Sequence, residues 1–130
     1  MKYVITDPAY IIKEWDGKWD SNETRLEKLT GQKAWSSSTG FGDWTNELYG
    51  PNVDEPHFAA DSGQVCVCAY TDEVAKRLQN ISKNCFALFN SSSKIDVTFD
   101  RTEPDWTVVY IKNQTGNEWH TFIPSDDDEE

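Results

Sequence analysis

A chain of 130 residues that is 37% hydrophobic, with six Trp, five Tyr and six Phe, holds enough apolar material for one core of its own. That content excludes a disordered polypeptide, and no apolar run approaches the roughly 20 residues of a membrane span. Asp and Glu number 23 against 12 Lys and Arg, and the formal net charge of -11 disfavours nucleic acid and anionic membrane and favours basic partners.

In chain order, "KYVIT" reads as a short strand that stops at an Asp7-Pro8 turn. The opening segment has no apolar stretch fit for a signal peptide, so a soluble, cytoplasmic protein is expected. "AYIIKEW" leads into Asp16-Gly17, a dipeptide suited to a type I′ hairpin turn. "DSNETRLEKLTG" reads as a short helix, with Asp20 placed to cap it and Gly31 to close it. From residue 34 to 60 neither a period of 2 nor one of 3.6 is sustained, so a long irregular loop rich in Gly and aromatics is expected. "QVCVCAY" reads as a mostly buried strand, and "TDEVAKRLQN" as a helix capped by Thr71 with Val74, Leu78 and Ile81 inward.

The last third reads as β. "NCFALFN" is a strand, and "IDVTFD" alternates Ile95, Val97 and Phe99 inward against Asp96, Thr98 and Asp100 outward. "DWTVVYIK" and "EWHTFIP" form a hairpin around "NQTGN". The fold class expected is α+β: a single domain over residues 1–124, a mainly antiparallel twisted sheet of about six or seven strands, two short helices, and an acidic disordered tail at 125–130.

Few residues carry chemistry. Cys66, Cys68 and Cys85 lie in strand-like contexts without metal spacing and read as buried, reduced thiols. "TGFGDW" is too short for a phosphate loop, and His57 and His120 lack metal-ligand spacing. No catalytic residue, metal or cofactor is expected. Asp7, Asp43 and Asp61 each stand in a turn-like context, which makes each an Asx-turn residue or, if the turns converge, part of a polar pocket.

The same stretches carry a family resemblance. "YVITDPAYII", "STGFGDW" and "ADSGQVCVCAY" resemble, in order and spacing, the T-D-P-C-Y, G-Y-G-D-G and V-D-S-G segments of small phage and prophage proteins. Ala9 stands where those have Cys, and Trp44 where they have Gly. The resemblance implies a mobile-element origin and carries no catalytic residues across.

These features together suggest an acidic inhibitor that binds a host defence protein at a basic nucleic-acid site, as an anti-CRISPR or anti-restriction protein does. The acids expected to bind are Asp16, Asp20, Glu23, Asp43, Glu47, Asp96, Asp100, Glu103 and Asp105, with Trp15, Trp19, Trp44 and Tyr49 as aromatic anchors. The partner would be a basic, nucleic-acid-binding host protein, with no direct contact to nucleic acid or membrane. Two alternatives stand beside this: a nucleotide-sequestering pocket, for which Lys33 is the nearest cation to the loop, and an immunity protein that neutralises a toxin.

Overall fold

The computed structural model describes residues 1–12, 22–40 and 44–125. Among these residues, ten strands in three antiparallel sheets and two α-helices make an α+β domain. The central sheet has five strands in the spatial order β2 (Trp35–Ser38), β6 (Gln64–Ala69), β1 (Lys2–Thr6), β7 (Ala87–Asn90) and β4 (Val53–Glu55). A second sheet has three strands, β8 (Ile95–Asp100), β9 (Trp106–Asn113) and β10 (Glu118–Pro124), with β9 in the middle. The third is a two-stranded ribbon of β3 (Trp44–Glu47) and β5 (His57–Ala60).

The period of 2 in the central strands sorts side chains into two cores. Val4, Cys66, Cys68 and Leu88 face the helices α1 (Asn22–Thr30) and α2 (Asp72–Leu78), where Leu26, Val74 and Leu78 meet them. Tyr3, Ile5, Val65, Val67 and Phe89 face the other way, onto Ile95, Val97, Val109, Ile111, Trp119 and Ile123 of the three-stranded sheet. Every residue of β6 is buried because both of its faces are covered. The layers therefore run helices, five-stranded sheet, three-stranded sheet. Among the described residues, the three-stranded sheet alternates buried and exposed positions along its strands, so its outer face meets solvent.

The helix ends follow their local chemistry. Thr71 accepts the Val74 N–H at 3.3 Å, capping α2, and Asp72 and Glu73 stand at its positive end. Gly31, at φ +74°, closes α1 by donating its N–H to the Glu27 carbonyl at 2.8 Å.

The stretch 34–60 is a correction to the expected loop, since it contains β2, β3, β4 and β5. These strands are three or four residues long, too short to display a period. Three serines of β2 pair with β6 through backbone alone, which leaves no apolar signature. The extra strands also raise the count to ten, above the six or seven anticipated.

The Asp16-Gly17 turn, the Asp20 cap and the acidic end 126–130 lie outside the described residues. Ser125 is tied to the fold by its N–H, which donates to the Asp105 carbonyl at 3.1 Å. Among the described residues, no helix is long and apolar enough to cross a membrane.

Candidate protein-binding face

The alternation of the last three strands that fills the core must also populate an outer face. Register places Asp96, Lys112 and Glu118 in one row across that face, then Thr98, Tyr110 and His120, then Asp100, Val108 and Phe122. Trp106 continues the outward series on β9. Tyr49 joins from the side: its N–H and carbonyl pair with His120 at 2.9 Å, and its ring stacks on the imidazole at 5.4 Å. The imidazole in turn meets the Phe122 ring edge-on at 5.7 Å.

Exposure separates this face from the rest of the molecule. Of the five large hydrophobic side chains exposed among the described residues, four lie here: Trp106 (49%), Tyr49 (44%), Tyr110 (40%) and Phe122 (37%). Burying an aromatic side chain yields roughly 1.5–3 kcal/mol, so four left in water on one face form an exposed apolar patch. A shallow groove of about 400 Å³ runs among Asp96, Thr98, Tyr110, Lys112 and Glu118. It sets two carboxylates and one ammonium around a phenol ring.

The carboxylates rim the aromatics. Asp96 and Asp100 lie along the outer strand β8. Glu103 and Asp105 lie in the exposed connection from β8 to β9, where Asp100 also accepts the Thr102 N–H at 3.0 Å. Glu47 stands at the opposite margin on β3, 3.5 Å from the His57 imidazole, and its carbonyl accepts the Thr121 hydroxyl at 2.6 Å. Among the described residues, Asp96, Asp100, Glu103, Asp105, Lys112 and Glu118 form no ion pair.

Five of the residues expected to bind are thus brought to this face or its margin: Glu47, Asp96, Asp100, Glu103 and Asp105, with the anchor Tyr49. Glu23 is not among them. It sits on α1, two layers away, and its carboxylate accepts the Ser36 N–H at 2.9 Å. Trp44 is half-buried, its ring edge-on to Phe58 at 5.5 Å and its indole N–H donated to the Thr39 hydroxyl at 3.1 Å. Asp16, Asp20, Asp43, Trp15 and Trp19 lie outside the described residues. Tyr110, Trp106, Phe122 and Glu118 were not anticipated. The signal was present in "DWTVVYIK" and "EWHTFIP", whose outward positions alternate with core residues.

A second cluster lies at one end of the five-stranded sheet, where two of the three turn aspartates converge. Asp7 is fully buried and accepts four hydrogen bonds. Its Oδ1 takes the Ala9 N–H at 2.9 Å and the Ser62 hydroxyl at 2.6 Å, and its Oδ2 takes the N–H groups of Asp61 and Ser62, both at 2.7 Å. The Ala9 bond is the Asx turn that "TDP" suggests, and the other three bind that turn to "ADSG". All of its acceptor capacity is spent on the fold. Among the described residues no group of three or more His, Cys, Asp or Glu is placed to hold a metal.

Asp61 accepts the Tyr10 hydroxyl at 2.6 Å. Burial, helped by this bond and the negative charge of Asp61, raises the Tyr10 pKa well above the ordinary tyrosine value. The folded state therefore keeps this proton after the unfolded chain has released it, and stability falls as pH rises past the ordinary value of about 10. Tyr10→Phe is expected to lose about 1 kcal/mol at neutral pH and to flatten that alkaline decline, read from urea midpoints at about pH 8 and about pH 11. An unchanged slope would remove Tyr10 as its source. Cys66 and Cys68 are buried as expected, and burial, with a hydrogen bond to Cys68, pushes the Cys66 thiol up, whereas Cys85 is only partly buried, in the short 3-10 turn Lys83–Cys85 rather than in a buried strand.

No family model, curated protein or solved structure matches the chain.

Proposed function

We propose that the protein is a binding protein whose outer β8–β9–β10 face docks on a basic protein surface, and that it acts as a phage-type inhibitor occupying the nucleic-acid site of a host defence protein. One observation carries this reading: four exposed aromatics share a sheet face rimmed by carboxylates, of which Asp96, Asp100, Glu103, Asp105 and Glu118 form no ion pair among the described residues. Aromatics that are rigid and half-exposed act as anchors, and the rim supplies steering and specificity. The net charge of -11 extends the same field over long distance, where it accelerates encounter with a basic partner and repels nucleic acid. The five acidic residues at 126–130 contribute to that net charge.

The test is capture from a bacterial lysate at low salt, repeated with the Tyr110→Ser/Phe122→Ser variant and with 126–130 deleted. The reading requires a nucleic-acid-binding protein that is retained by the truncated chain, lost by the double variant, released by salt and displaced by duplex DNA. A partner that ignores DNA and salt, or that the double variant holds equally well, would overturn it.

A further inference from the structure

The chain carries about half as many cations as anions, so two unpaired lysines lining one cleft are a local reversal of its charge. These are Lys33 and Lys94. Among the described residues neither has an acid within ion-pair distance, whereas Lys2 holds Asp54 at 3.3 Å and Arg77 holds Glu73 at 3.1 Å. Far apart in sequence, they line one cleft of about 220 Å³ between the loop after α1 and the start of β8. Its floor is apolar and buried, made by Trp35, Tyr3 and Ile95. The Lys33 ammonium lies 5.7 Å from the centre of the Trp35 ring.

We infer that this cleft binds a small organic anion: one phosphate or carboxylate, held between the two ammonium groups, attached to a single ring that rests on the Trp35–Tyr3–Ile95 floor. The volume sets the size, since about 220 Å³ lies below the roughly 300 Å³ at which drug-sized pockets begin. Two unpaired lysines on the same cleft provide the charge that the rest of this acidic surface withholds from an anion. The neighbouring acid, Glu27, is engaged locally, its carboxylate accepting the Ala34 N–H at 3.1 Å. The cleft shares no lining residue with the groove on the aromatic face.

The experiment titrates phenyl phosphate, benzoate, inorganic phosphate and phenol separately into the full chain, followed by ¹H–¹⁵N NMR and calorimetry. Phenyl phosphate or benzoate is expected to bind with Kd below about 1 mM, shifting amides at 31–35 and 94–95, and which of the two binds tells phosphate from carboxylate. Inorganic phosphate and phenol, each lacking half of the recognised chemistry, should bind at least about tenfold more weakly, a difference of about 1.4 kcal/mol. Lys33→Met/Lys94→Met keeps the aliphatic stems and should lose binding at an unchanged melting temperature. Absence of binding by both ring anions, shifts elsewhere on the molecule, equal binding of inorganic phosphate, or full binding by the double variant would each overturn the assignment.

Discussion

Asp7→Ala is expected to destabilise the fold by about 3–5 kcal/mol, a large share of the roughly 5–15 kcal/mol that holds a domain of this size. The carboxylate is fully buried, and its removal strands three backbone N–H groups and a hydroxyl. Each unsatisfied donor costs about 1–3 kcal/mol, less where water enters the gap, so the sum exceeds the loss of one ordinary hydrogen bond. Asp7→Asn separates charge from geometry. Its carbonyl oxygen can still accept from Asp61 and Ser62, while its NH₂ turns toward a Ser62 hydroxyl able to accept, and only the Ala9 N–H is left without a partner. A loss of about 1–2 kcal/mol is therefore expected for Asn, with urea unfolding as the measure. If Asp7→Ala unfolds within about 0.5 kcal/mol of the wild type, this turn does not hold the sheet end together.

Trp119→Ala should cost a similar amount, about 3–5 kcal/mol, by a different mechanism. The indole is buried between the sheets, packs against Phe89 at 5.0 Å and donates its N–H to the Pro51 carbonyl at 2.6 Å. Together with the Tyr49–His120 backbone pair, it fastens the loop before β4 to the three-stranded sheet. Gly50 records how close the approach is: at φ +145°, an added Cβ there would lie 2.4 Å from the indole Cδ1. Truncation leaves a cavity that the short loop cannot collapse into and orphans the Pro51 carbonyl. Trp119→Phe keeps most of the volume and loses the donor, so it should fall well short of the Ala variant. Equal losses for the two would place the energy in the hydrogen bond, contrary to the packing argument.

The contrast between these residues shows what could be read from the chain. The strands β8, β9 and β10 are long enough for alternation to assign both faces, and Ile95, Val97, Val109, Ile111 and Trp119 are inward as the pattern requires. Short strands such as "WSSS" are held by backbone pairing to β6 and leave no pattern to find. Asp7 and Asp61 could each be recognised as turn residues, but a turn is a local statement. That the Asp7 carboxylate receives the "ADSG" amides depends on β1 lying beside β6. Trp44 sits in a Gly-rich stretch that suggests exposure, and pairing of β3 with β5 lays its ring against Phe58. Lys33 lacked a cationic neighbour in sequence, and the stacking of the two sheets supplies Lys94. Function was less legible than fold, because net charge indicates the sign of a partner and only the tertiary structure groups the aromatics that would anchor it.

The most direct measurement of the central claim is the affinity of the captured partner for paired surface variants in one titration series. Tyr110→Ser/Phe122→Ser removes two anchors from the outer face, and Glu23→Gln/Glu73→Gln removes two charges from the helix layer. Anchor residues typically carry about 2 kcal/mol or more each, so the face variant is expected to weaken binding by at least about 30-fold at an unchanged melting temperature. The helix-layer variant should stay within about threefold of the wild type, because exposed charges outside the contact contribute little. Undiminished affinity in the face variant, or a larger loss in the helix-layer variant, would contradict the assignment of the β8–β9–β10 face as the binding surface.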